Sequence, residues 1–154
     1  MNYWLMKTEP ETFSVDDLAA APRRTTCWDG VRNYQARNML RDQVKKGDRA
    51  LLYHSSCPQP GVVGVMRVTR AGYPDHTACD PRDPHYDPNS TPERPRWYMV
   101  DVQLERRLRR VITLEELRAH ARGKLRDLWI LRPGNRLSVT PVTAAQFEFI
   151  LSLE

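Results

Sequence analysis

Within twelve residues, Cys27-Trp28-Asp29-Gly30-Val31-Arg32-Asn33-Tyr34-Gln35-Ala36-Arg37-Asn38 set an aromatic plate, a turn and a run of amide and guanidinium donors side by side. Trp28 offers a flat apolar face, with Asp29 in the same turn. Gly30 suits a backbone conformation that other residues resist. Asn33, Tyr34, Arg37 and Asn38 follow on or near one helix, where residues three and four apart are neighbours. Planar donors beside an aromatic face suit a flat, hydrogen-bonding ligand such as a nucleobase.

Trp4, Trp28, Trp97 and Trp129 are many tryptophans for so short a chain. Trp4 and Trp129 lie in apolar runs and are expected in the core, with their indole N–H groups satisfied. Trp28 stands off any periodic stripe, so core and pocket wall both remain open for it. The same holds for Trp97, at a strand start after a proline-rich stretch. Ser55-Ser56-Cys57 follows His54 at a strand end, where hydroxyls can bond a ligand's polar edge. A nucleophile activated by His54 is disfavoured: strand neighbours point to opposite faces, and no GxSxG elbow is present. Arg132-Pro133-Gly134-Asn135-Arg136 is a second dense motif, in which Arg136 either neutralises neighbouring acids or grips a phosphate or base edge.

These residues need elements to hold them. Residues 2–7 read as a first strand. Ser14 caps a short helix that ends by Pro22, with Asp16 and Asp17 complementing its dipole. Residues 31–44 read as a second helix with Ala36, Met39, Leu40 and Val44 on its apolar stripe. Residues 49–54 and 61–69 are apolar strands, and Gly61 and Gly64 mark a bend or a close backbone approach in the second. Residues 72–95 hold six of the twelve prolines, which excludes helix and central strand. The loop also carries Asp75, His76, Cys79, Asp80, Asp83, His85 and Asp87. Their spacing suits neither zinc nor an EF-hand and fits Asx turns better, so no metal is expected. A strand over 97–104 follows, then a capping-box helix from Thr113 to about Ala121, a strand over 137–139 and a terminal helix from Thr143. Several adjacent strands bordered by short helices predict an α+β fold, a small barrel of mostly antiparallel strands.

A chain of 154 residues fits one domain, here 1–154. No apolar run reaches the ~20 residues of a membrane span, and the N-terminus does not read as a secretory leader. Three widely spaced cysteines argue for a reducing compartment, taken as the cytoplasm. The net charge is +5, and residues 106–126 hold eight Lys or Arg against Glu115 and Glu116. Such a face attracts polyanions, or is simply a solvated surface.

Several of these segments together resemble the EVE domain family, the thymocyte nuclear protein 1-like group of the PUA-like superfamily. The matching stretches are Tyr3-Trp4-Leu5-Met6-Lys7-Thr8-Glu9-Pro10, Trp28 to Asn38, Tyr53-His54-Ser55-Ser56-Cys57, Gly61-Val62-Val63-Gly64, Pro95-Arg96-Trp97-Tyr98-Met99-Val100-Asp101-Val102 and Gly134-Asn135-Arg136-Leu137-Ser138-Val139. They run in order across nearly the whole chain. The resemblance implies a PUA-like barrel related to YTH domains. It also implies a binding module, not an enzyme, that reads a modified base such as 5-methyl- or 5-hydroxymethylcytosine in DNA. Cys27 departs from the pattern, since many members have a second tryptophan or another bulky residue there. Lys7, Trp28, Asp29, Asn33, Tyr34, Ser55, Ser56 and Trp97 are the expected ligand-binding residues. Arg106, Arg109, Arg110 and Arg136 are expected on the nucleic-acid backbone, with no cofactor, no metal and no membrane partner. Binding to modified RNA is the alternative, and an enzyme using Cys57 or His54 is a third reading. Oligomeric state, monomer or dimer, is left open.

Overall fold

The computed structural model describes residues 1–154. Six strands form one sheet in the order β2-β5-β4-β3-β1-β6. They are β1 (Tyr3–Thr8), β2 (Thr25–Cys27), β3 (Arg49–His54), β4 (Gly61–Pro74), β5 (Tyr98–Thr113) and β6 (Val139–Val142). Four pairings are antiparallel and β1 with β3 is parallel. The α+β class is as expected, but the barrel is not closed: β2 and β6 are two free ends. β2 itself is unforeseen, because its three half-buried residues, Thr25-Thr26-Cys27, show no alternation to read.

Local caps form as the sequence dictates. The Ser14 hydroxyl accepts from Asp17 N at 3.1 Å and Asp17 accepts from Ser14 N at 2.8 Å, opening α1 (Val15–Ala20). Thr143 and Gln146 make the same box for α4 (Ala144–Ser152). Thr113 caps α3 (Leu114–Ala119) by accepting from Glu116 N, but the Glu116 carboxylate turns to Arg110 instead of closing the box. The second helix, α2 (Tyr34–Asn38), starts three residues later than expected, because Asn33 is its cap. Val31 is buried outside the helix. A π turn over Met39–Gln43 continues α2, and β4 crosses it so closely that a Cβ on Gly72 would collide with the Leu40 carbonyl. Gly61 makes the close backbone approach expected of it, against the Ile112 carbonyl.

β4 and β5 both outrun their predicted ends, since backbone pairing continues where apolar alternation stops. The last strand sits two residues late because the Asn135 side chain accepts from Leu137 N in a turn. Pro141 is tolerated in β6 because that strand is an edge. Each face of the sheet carries a core. Trp4, Met6, Ala50 and Leu52 pack with Leu18, Ala36 and Leu40 on one side. Leu5, Leu51, Leu117, Phe147 and Ile150 pack on the other. Trp4 is in the core as expected, its indole N–H donating to buried Asp48 at 3.0 Å. Trp129 is not: it is half-buried, with the Arg132 guanidinium 4.5 Å over its ring.

Candidate functional site

Three strands separate β1 from β2 in the sheet, yet the segments following each line one cleft of about 480 Å³. The sheet curls far enough to bring them together at the place where a barrel would close. Lys7, Thr8, Glu9, Thr12 and Phe13 come from the first side; Thr26, Cys27, Trp28, Asp29 and Gly30 come from the second. His85 reaches in from the proline-rich loop. The volume lies within the ~300–1,000 Å³ of small-ligand sites.

Trp28 is 7% exposed, and its backbone N–H donates to the Val100 carbonyl at 2.7 Å. Gly30 has φ +79°, and a Cβ there would meet His85 Nε2 at 2.6 Å, so the ring packs directly on the turn. Gly30 N donates to Asp75 Oδ2 at 2.9 Å, and Arg32 Nη1 donates to the same oxygen at 3.0 Å. Thr77 donates to the other oxygen through both its backbone N–H and its hydroxyl. Burial pushes Asp75 up, but these bonds outweigh it and hold the carboxyl below its ordinary range. Asp75 thus pins the Trp28 turn to the loop.

Burial first, and the Asp75 carboxylate next, push Asp29 above the ordinary carboxylate range. Burial lowers Lys7. Burial, then Asp29 and Asp101, raise Cys27, so its thiol stays protonated at neutral pH. The cleft therefore offers an aromatic face, two carboxylates of which Asp29 is reluctant to ionise, one partly desolvated ammonium and several hydroxyls.

Lys7, Trp28 and Asp29 meet in this cleft; the other expected ligand residues lie elsewhere. Ser55 and Ser56 line a second hollow of about 540 Å³, which also includes Lys7. Asn33 lines a third, of about 380 Å³, together with Arg136. Tyr34 is exposed and stacks on Trp97 with ring centroids 4.9 Å apart. Trp97 is buried, its indole N–H donating to Asp87 at 2.7 Å, so the pair clamps the proline-rich loop to α2. In that loop, Asp75, Asp80, Asp83 and Asp87 each accept from the backbone N–H two residues on, which makes them the Asx turns read from the sequence. His54 Nε2 accepts from Val15 N at 3.1 Å, so its lone pair secures the start of α1.

The basic run on β5 is largely neutralised. Arg106 pairs with Glu154 at 2.6 Å and Arg110 with Glu116 at 2.7 Å. Arg107 pairs with Asp16, and the Arg109 backbone N–H donates to Glu154 at 2.5 Å. The expected backbone role of Arg106 is therefore countered by the C-terminal Glu154 and that of Arg110 by Glu116, six residues on, while the Arg109 guanidinium has no carboxylate partner. Sequence reading also passed over Phe13, Thr26 and His85 as cleft residues; only the Gly30 turn hinted that something packs there.

A family model described as the EVE domain matches residues 2–153. The chain belongs to the EVE domain family. This EVE domain is 49% identical to rat thymocyte nuclear protein 1 over 168 residues, covering 99% of this chain and 74% of that protein. It superposes with TM-score 0.94 on the structure of human THYN1 protein in complex with 5-methylcytosine-containing DNA, at 46% identity, covering 99% of this chain and 97% of that one. A Pseudomonas syringae protein of known structure matches with TM-score 0.92 at 43% identity, covering 98% of each chain. The relatives' name corrects the cytoplasmic expectation, because it points to a nuclear protein. Free thiols suit the nucleus as well as the cytosol, so cysteine count did not discriminate between them.

Proposed function

We propose that this EVE domain binds DNA and reads a cytosine modified at C5, taking the flipped base into the Trp28 cleft. The observation that carries the reading is the fold match to human THYN1 in complex with 5-methylcytosine-containing DNA. The cleft supplies chemistry that fits. The Trp28 face stacks the ring, and the Asp29 carboxylate accepts from the N4 amino group, the partner it suits best on cytosine. Lys7 and the Thr12 hydroxyl donate to ring acceptors, the Thr8 and Thr26 hydroxyls being committed to the Phe13 and Cys27 carbonyls, while Phe13 and the Cys27 thiol give the C5 substituent an apolar wall. Flipping costs a few kcal/mol and one aromatic stack returns about 1–3 kcal/mol, so backbone contacts supply the remainder. In this reading the module binds without chemical turnover, and the His54 lone pair that an enzyme would use as base is engaged by Val15 N.

The test is titration of matched duplexes carrying cytosine, 5-methylcytosine or 5-hydroxymethylcytosine, read by anisotropy of labelled DNA. A modified duplex binds more tightly than the plain one; equal affinities for all three would overturn the reading. The same series in RNA reports whether a 2′-hydroxyl is favoured, and tighter RNA binding would replace DNA as the partner.

Asp29 makes a separate prediction. It accepts most strongly when ionised, so affinity weakens as pH falls through its raised value, at higher pH than for an ordinary aspartate. Asp29→Asn keeps a neutral acceptor but removes the charge, so it weakens modified-base binding by roughly threefold to tenfold and flattens that pH dependence. The folded state also holds this proton more tightly than the unfolded chain. Stability therefore falls as pH rises from the unfolded toward the folded value and stays lower above it. Asp29→Asn escapes that loss and melts at a higher temperature at pH 7, which thermal unfolding measures.

A further inference from the structure

The three hollows adjoin and form a groove through shared walls. Lys7 lines the first and the second, and Arg132, Pro133, Gly134 and Asn135 line the second and the third. The second and third, of about 540 and 380 Å³, include no aspartate or glutamate, in a chain that has 19 of them. They do include Arg118, Arg132 and Arg136, all exposed, and with Lys7 none of these four cations has a carboxylate within 4.0 Å. The far half of β5 differs: Arg106, Arg107 and Arg110 are each ion-paired, and of its four arginines only Arg109 is not.

We propose that this groove is the track of the DNA strand that delivers its base to the Trp28 cleft, with Arg118, Arg132 and Arg136 on its phosphates. The inference rests on the base-reading proposal for the direction of the strand, and on the groove itself for its charge. Unpaired guanidiniums interleaved with the Ser55 and Ser56 hydroxyls and amides such as Gln35 are the usual partners of a sugar–phosphate backbone. Arg132 is held in place for this, since its guanidinium rests 4.5 Å over the Trp129 ring. Ser56, at φ +54°, keeps a non-glycine residue in the left-handed region on the groove wall, a conformation retained where surrounding structure enforces it. The track leaves the arginine-rich half of β5 outside the interface.

The experiment compares wild type with the triple variant Arg118→Gln, Arg132→Gln, Arg136→Gln, and with Arg106→Gln, Arg110→Gln as the control. Each is titrated with methylated and plain duplexes between about 50 and 200 mM salt, where each phosphate contact contributes roughly 0.7–0.9 to the slope of log affinity on log salt. The triple variant binds both duplexes at least about tenfold more weakly, and its slope falls by roughly 2–3, while the control keeps the wild-type slope. A triple variant with an unchanged slope, or a control that loses it, overturns the track. The ratio of methylated to plain affinity, taken from the same titrations, judges base reading separately: it survives in the triple variant. If wild type shows no such ratio, base reading fails while the slope still decides the groove. All three arginines are exposed, and circular dichroism confirms that the variant folds.

Discussion

Asp75→Ala lowers the unfolding free energy by about 3–5 kcal/mol, the cost of breaking a buried ion pair by removing one partner. The Asp75 side chain is fully shielded from solvent and satisfies Gly30 N, Arg32 Nη1 and both donors of Thr77. Alanine leaves Gly30 N and the Arg32 guanidinium short of a partner in a site that water reaches poorly. Arg32 keeps two bonds to the His85 carbonyl, at 3.0 and 2.7 Å, and its side chain is 23% exposed. Those remaining contacts place the loss nearer the lower figure. Urea unfolding measures it as a shift in midpoint at constant m, and a change below about 1 kcal/mol would mean that the hub is dispensable. Its pH dependence has the opposite sign to that of Asp29. Asp75 is held below the ordinary carboxylate range, so its contribution is complete above that range and is lost as pH falls through its depressed value. The gap between wild type and Asp75→Ala therefore closes in acid. Because Asp75 also pins Gly30, the variant loosens the Trp28 turn and weakens modified-base binding as well.

Trp28→Ala removes the preference for the modified duplex and weakens its binding by about 1–3 kcal/mol, a factor of roughly 5 to 150. Trp28 is only 7% exposed, so alanine also leaves a cavity and costs stability on the order of 3–5 kcal/mol. Trp28→Phe separates the two effects: it keeps a stacking face, folds with a smaller penalty, and retains part of the preference. Anisotropy of labelled DNA is the proper readout, since the indole that would report by fluorescence is the one removed. Discrimination that persists in Trp28→Ala, at a temperature where the variant is folded, would falsify the assignment of the cleft.

Much of this architecture is legible along the chain because the interactions that decide it are short in sequence. Ser14 with Asp17 and Thr143 with Gln146 close boxes across three residues. Four aspartates in the proline-rich loop make turns across two. A continuous apolar run marks β3 with the same bounds that pairing gives it, 49–54. Where alternation stops, sequence reading stops with it. The second half of β5 exposes arginines along a strand that persists only because β4 pairs with it. The start of α2 falls at Asn33 and not at Val31 for a related reason: Val31 and Arg32 look helical locally, but a long-range core contact and the reach to Asp75 hold them outside the helix.

The candidate site divides along the same line. Residue types alone singled out Lys7, Trp28 and Asp29, and local spacing was enough to expect a turn at Gly30. Their meeting in one cleft depends on the curl of a sheet that sets three strands between β1 and β2, and no spacing in the chain encodes that curl. The charge followed the same rule. Counting arginines located a basic stretch over 106–126, but whether a guanidinium is free depends on which carboxylate the fold brings beside it. Glu154 reaches Arg106 from 48 positions away, and no acid comes within 4.0 Å of Arg118, Arg132 or Arg136. The caps, turns and apolar strand centres are written in the chain, because they follow from bonds and contrasts between near neighbours. Tertiary structure alone decided which surface is open and charged, because Coulomb attraction acts on distance in space and not on separation along the chain.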